Sequence, residues 1–363
     1  MPPPTYEPFE HHNTRERATD ERGSAGNTFV TPYAFDRELA PLVAALDAVD
    51  LSDVAAERAR YQRALQAAGP QPRVDGVMVE IQELVGVDGS ALSFRVFRPT
   101  LSSHAPLPGV LYIAGGGFVL GTQRSADRDC ARMAEDLSAV VVQADYRLAP
   151  EHPFPAALLD CWSTLLWMAG TAAADTDVRV DVDRLALVGD SAGAALAAGL
   201  SLMARDRNGP RIRFIFLGIP VLDDSLRTDS MKRFSDTPLW DSRNAALSWQ
   251  HYLRTGTVVD GEDWHDYAAP GTAADLGRLP ATHIATAEFD PARDEGIEFG
   301  LRLLAAGVSV ELHQYPGTFH GSGQLRADVS KRMRKDRIGA LRDALHNPST
   351  NLHRNSGLEP AHG

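Results

Sequence analysis

Two periodicities divide the chain. Apolar residues recur at helical spacing between Tyr33 and Ala68: Leu39, Leu42, Val43 and Leu46, then Val54, Ala55, Tyr61 and Leu65. This predicts two helices. Ser52 and Asp53 offer N-caps for the second, and Gly69-Pro70 stops it. The period then becomes two. Val77, Val79 and Ile81 alternate with polar positions, as do residues from Leu92 to Phe97, with Asp88-Gly89 between the runs. That is the pattern of an antiparallel hairpin.

From Val110 onward, short continuous apolar runs alternate with amphipathic ones. Strands are predicted at Val110–Ala114, Ala139–Asp145, Leu185–Val188, Ile212–Ile219, His283–Ala287 and Val308–Tyr315. Helices are predicted at Ser125–Leu137, Pro155–Ala169, Ala192–Arg205, Pro291–Ala306 and Val329–Leu345. Continuous apolar strands between helices imply a mostly parallel sheet covered on both faces, and the hairpin gives it an antiparallel start. The alternation lapses from 221 to 280, where one helix (243–253) and three tryptophans, Trp240, Trp249 and Trp264, mark a helical insertion. The expected divisions are a disordered tail over 1–32, cap helices over 33–72, a core over 73–220 and 281–346, a cap insertion over 221–280, and a flexible tail over 347–363.

Composition narrows the function. The 363-residue chain carries a net charge of −12. Such a field argues against nucleic acid and against anionic membrane surfaces. Cys130 and Cys161 have no metal-site spacing and no disulfide framework, and read as buried thiols within helices. No apolar run is long enough to span a membrane, and the first 26 residues hold no apolar signal core. The expectation is a cytoplasmic protein with no metal, and a homodimer is compatible with it.

One stretch carries chemistry. Leu185 to Val188 is a buried-strand run, and it leads into Gly189-Asp190-Ser191-Ala192-Gly193 and then a run of small residues. Glycines two positions either side of Ser191 clear space for a tight strand-to-helix corner, which holds a hydroxyl above the strand end. In an open parallel sheet, reactive groups gather beyond the carboxyl ends of the strands. Downstream, Asp290 follows one predicted strand and His320 lies in a loop after the next. Glu288 and Asp294 are rivals for the acid, Asp294 less well placed inside a helix. His320 would accept the Ser191 proton, and Asp290 would orient the imidazole. Oxyanion donors would be the N–H of Ala192 and those of the Gly115-Gly116-Gly117 run after the first parallel strand. A phosphate cradle is the competing reading of that run, but it lacks the lysine and the spacing. The tryptophans are either ordinary packing or the wall of an acyl or alcohol pocket.

These segments, together with Asp145-Tyr146-Arg147-Leu148-Ala149-Pro150-Glu151 and Asp290-Pro291-x-Arg293-Asp294-Glu295-Gly296, resemble the bacterial hormone-sensitive-lipase family of carboxylesterases, within the α/β-hydrolases. The resemblance runs from about Val77 to Gly323. It implies an α/β-hydrolase core with a helical cap, and hydrolysis of small-molecule esters with short to medium acyl chains, without a cofactor. It also implies oxyanion donors at Gly116, Gly117 and Ala192, and supporting roles for Asp190 and Glu151. Phe118, Trp240 and Trp249 are the substrate-binding candidates. One position departs from the family: Ala114 stands where a histidine normally precedes the glycines. A deacylase of a specialised metabolite, or a small-molecule binder derived from a hydrolase, would use the same scaffold.

Overall fold

The structure is a computed structural model that describes residues 33–69, 73–100, 105–121, 126–171 and 179–347. The expected tails over 1–32 and 347–363 lie outside the described residues, Asn347 excepted. Short helix α1 (Ala40–Val43) and α2 (Val54–Ala68) come first. The carboxylate of Asp53 accepts the Ala56 N–H and caps α2, and Gly69 ends the helix at φ 71°.

The hairpin is β1 (Val77–Val85) and β2 (Ala91–Pro99). After it come β3 (Leu107–Ile113), α3 (Asp127–Leu137), β4 (Val140–Ala144), α4 (Ala156–Leu166), β5 (Val180–Asp190), α5 (Ala192–Asp206) and β6 (Phe214–Gly218). The inserted region holds α6 (Asp229–Arg233), α7 (Ser242–Tyr252), the two-residue strands β7 (Val258–Val259) and β8 (Glu262–Asp263), and α8 (His265–Ala268). The chain then returns to the sheet with β9 (Ala281–Phe289), α9 (Arg293–Ala305), β10 (Val310–Phe319) and α10 (Asp328–His346).

The main sheet has eight strands in the order β1-β2-β4-β3-β5-β6-β9-β10. The β2 strand runs antiparallel to both β1 and β4, and every pairing from β4 through β10 is parallel. Period-two alternation sorts the side chains onto two faces. Leu111, Ile113, Leu185 and Leu187 join one core with α4, α5 and α9, whereas Val110, Tyr112, Ala186 and Val188 join another with α3 and α10. The hairpin is where the alternation misleads. Its alternating apolar residues Val79 and Ile81 are 49% and 61% exposed. The β1 strand is the sheet's edge, and the half-buried positions on it are Val77, Glu80, Gln82 and Leu84.

The strand order places the site. From β3 the chain steps to β4 on one side and later returns to β5 on the other. The loops after β3 and β5 therefore meet at the point where the winding direction reverses, the standard crevice of an open α/β sheet. Register brings Ile113 opposite Gly189, so the triple-glycine loop lies beside Ser191. Likewise Phe289 pairs with Phe319, so Asp290 and His320 leave neighbouring strands side by side.

Candidate active site

Ser191 sits between β5 and α5 at φ 57°, ψ −121°, a conformation that L-residues adopt only under constraint. The constraint is visible on both sides. The Ser191 N–H donates to the Gly218 carbonyl of β6 at 2.8 Å, and the Ser191 carbonyl accepts the Ala194 N–H at 2.9 Å. A Cβ at Gly193 would stand 2.1 Å from the Ile113 carbonyl, and one at Gly189 2.2 Å from that of Gly193. The two motif glycines are therefore required for the close passage of β3, β5 and α5.

His320 Nε2 lies 2.8 Å from Ser191 Oγ, and His320 Nδ1 lies 2.7 Å from Asp290 Oδ2. The other Asp290 oxygen accepts the Ala292 N–H at 2.8 Å. All three side chains are buried, Asp290 at 1% exposure. With Nδ1–H donated to the carboxylate, Nε2 presents its lone pair to the serine hydroxyl, the arrangement that lets an imidazole take a proton from Ser Oγ. The rivals are occupied elsewhere. Glu288 accepts the Gly317 N–H, and Asp294 accepts the Ser230 N–H and pairs with Arg293.

The glycine loop turns tightly above β3. Gly116 and Gly117 have φ 136° and 60°. A Cβ on Gly116 would collide with the Leu120 carbonyl at 2.0 Å, and one on Gly117 with the Trp240 ring at 2.7 Å. Among the described residues, the N–H groups of Gly116, Gly117 and Ala192 are spent on no turn, loop or cap bond. They remain available as donors beside Ser191.

Three sets of hydrogen bonds support the site. Tyr146, just beyond β4, donates from its hydroxyl to the Ala114 carbonyl at 2.8 Å. Arg58 of α2 donates to the carbonyls of Val119 (2.9 Å) and Ala149 (2.6 Å), and forks onto both oxygens of Glu151. Asp190 is held by the Tyr112 hydroxyl at 2.9 Å and by Arg337 at 3.0 Å. A Cβ at Gly218 would sit 2.1 Å from Asp190 Oδ1, so that glycine clears the carboxylate's seat. The motif residues Asp190, Tyr146 and Glu151 were legible in the sequence. Their partners Arg337 and Arg58 stand outside every motif and carry no local signal.

The tryptophans separate. Trp240 stacks on the His320 ring with centroids 5.5 Å apart and planes at 26°. Trp249 lies against Phe118, whose fully buried ring is stacked on Tyr252 at 3.9 Å. Trp264 is elsewhere, packed on Tyr267 and beneath the Arg207 guanidinium. Among the described residues, no cluster of His, Cys, Asp and Glu could hold a metal ion, and no helix is long and apolar enough to cross a membrane.

Residues 110–323 match the family model for the alpha/beta hydrolase fold. The chain is 36% identical over 304 residues to carboxylesterase NlhH of Mycobacterium tuberculosis, covering 82% of this chain and 91% of the relative. It is 40% identical to esterase LipI of the same organism over 242 residues, covering 65% and 73%. Among solved structures, a bacterial heroin esterase superposes with a TM-score of 0.80 at 44% identity, covering 86% of this chain and 98% of that one. Together with the sheet order and register, these likenesses settle the family: the chain belongs to the hormone-sensitive-lipase-like carboxylesterases of the α/β-hydrolase fold.

Proposed function

We propose that the chain hydrolyses small-molecule esters with short to medium acyl chains through an acyl-enzyme on Ser191. The observation that carries this reading is the unbroken line from Asp290 through His320 to Ser191 Oγ, with both links under 3 Å. Ser191 Oγ attacks the ester carbonyl as its proton passes to His320 Nε2. The developing oxyanion is met by the N–H groups of Gly116, Gly117 and Ala192. His320 then protonates the departing alcohol. A water activated by the same imidazole releases the acid and restores the serine.

Residues 33–72 and 221–280 act as the cap. The support is a shared apolar cluster of Leu51, Val119, Leu120, Met231, Trp240 and Ala245. It is reinforced by bonds from the Leu51 N–H to Asn244 and from Asn244 to the Val49 carbonyl. Trp240 walls the side of the glycine loop, and Phe118 at the end of that loop packs against Trp249 of the cap, which favours compact acyl groups. A relative at 32% identity is named ethyl acetate hydrolase, in keeping with that preference. Cys130 and Cys161 are buried and unpaired in separate cores, which suits a reducing, cytoplasmic setting.

The test is hydrolysis of a p-nitrophenyl ester series from acetate to decanoate, beside matched acetanilides. Turnover highest at the short end, lost in Ser191→Ala, with fluorophosphonate labelling confined to Ser191, is the expected result. Labelling at another residue, or turnover that survives Ser191→Ala, overturns the assignment.

A further inference from the structure

On the face of the sheet covered by α3 and α10, a cavity of about 320 Å³ opens between the two helices. It is lined by Arg132, Arg334, Lys335, Arg337 and Arg342, against only Asp129 and Asp136. Five cations to two carboxylates is a local excess of positive charge in a chain whose net charge is −12. Among the described residues, Arg132, Arg334, Lys335 and Arg342 pair with no carboxylate, whereas Arg58, Arg95 and Arg147 elsewhere in the fold do. Among the described residues, Arg342 reaches only the Asp136 carbonyl, and Arg334 only that of Gly323. Arg337 pairs with Asp190, but its Nε is buried without a hydrogen-bond partner among the described residues.

The geometry points to this cavity as a binding site for a small, multiply charged phosphate-class anion, distinct from the site at Ser191. Unpaired guanidinium groups drawn together in a concavity repel one another, and an oxyanion that accepts several N–H bonds removes that repulsion. Burial, added to by the like charges of Arg337 and Arg132 and opposed by Asp129, holds the Arg334 guanidinium below its ordinary proton affinity. A bound anion would reverse that effect. The shape and the net charge select the ligand's size. A nucleic acid or an anionic membrane would meet the repulsion of the whole acidic surface, whereas a small anion feels mainly the cavity's own charges, screened beyond about 8–10 Å. Arg334, Arg337 and Asp129 also line a second, smaller cavity reaching Asp190, Gly218 and Gly321, so the site adjoins the underside of the serine loop.

Isothermal titration of the full chain with inorganic pyrophosphate, at ionic strength held constant with sodium chloride, tests the assignment. A saturable one-to-one isotherm is expected. It should weaken about tenfold or more in the double variant Arg132→Gln/Lys335→Gln, which changes two exposed residues and leaves ester turnover alone. Protein labelled at Ser191 with a fluorophosphonate should bind pyrophosphate as before. A parallel titration with ADP distinguishes a nucleoside diphosphate, bound more tightly, from an inorganic anion, bound equally or better. Absence of saturable heat, full affinity in the double variant, loss of binding on labelling, or capture by phosphatidylserine vesicles in place of the small anions would overturn it.

Discussion

The hydroxyl of Tyr146 is bonded to the carbonyl of Ala114, so the strand-β4 side of the crevice holds the start of the glycine loop in place. Ala114 occupies the position where the family usually has histidine, and its side chain has no polar group with which to brace the loop. The Tyr146 bond supplies a brace from outside. Replacing tyrosine by phenylalanine leaves that carbonyl without its donor, at a cost of about 1–3 kcal/mol. If roughly half of this is felt when the oxyanion forms, kcat for p-nitrophenyl acetate falls about three- to tenfold. KM should hardly move, because the substrate's ground state makes no use of the hole. An unchanged kcat in Tyr146→Phe would show that the loop is held without it.

Arg58 makes the same argument from the cap. One guanidinium joins α2 to two carbonyls and a carboxylate that lie 61 to 93 residues away in sequence. Arg58→Ala should lower kcat/KM for short esters by about tenfold and speed proteolysis within α2, since both the loop and the helix lose their shared anchor. Arg58→Lys should recover only a minor part, because an ammonium cannot serve three acceptors in the fork geometry. Recovery to the wild-type value with lysine would mean that charge alone suffices.

Much of the site was readable because it depends on short-range rules. Strand runs fix where the sheet is, the chain order Ser-Asp-His fixes which loops to inspect, and Gly189, Gly193 and the three loop glycines mark where backbones crowd. The remainder depends on distances that no local pattern encodes. Arg58 and Arg337 are ordinary polar positions on helices until folding brings them to Ala149 and Asp190. Trp264 is near Trp249 in sequence but spends its ring on Arg207 and Tyr267. Val79 and Ile81 follow a buried-strand alternation yet face outward, because sequence periodicity reports a two-faced strand without saying which face the helices cover.

Backbone strain at Ser191 predicts a separation of stability from activity. At φ 57°, ψ −121° any side chain is penalised by roughly 1–2 kcal/mol, and glycine is not. Ser191→Gly and Ser191→Ala should both abolish turnover. The glycine variant should nevertheless be the more stable of the two by about 1 kcal/mol in denaturant unfolding, the relief of strain exceeding glycine's extra chain entropy. Equal stabilities would place the strain elsewhere in the loop.

Glu295 yields a pH signature. It is 3% exposed, its Oε1 accepts the Leu222 N–H at 3.1 Å, and its Oε2 has no partner among the described residues. Burial outweighs the N–H bonds that it receives and pushes its carboxyl well above the usual carboxylate range. The folded protein thus keeps a proton that the unfolded chain releases above about pH 4.5. The sign follows: from that pH upward the wild type loses stability, until the folded group itself ionises. Glutamine copies the neutral acid and has no proton to lose. Glu295→Gln should therefore match the wild type near pH 4.5 and exceed it increasingly at pH 6 and pH 8, read as melting temperatures at the three values. A difference that stays constant with pH would mean that Glu295 is already ionised in the folded state, with a cation or water supplying the partner its second oxygen lacks.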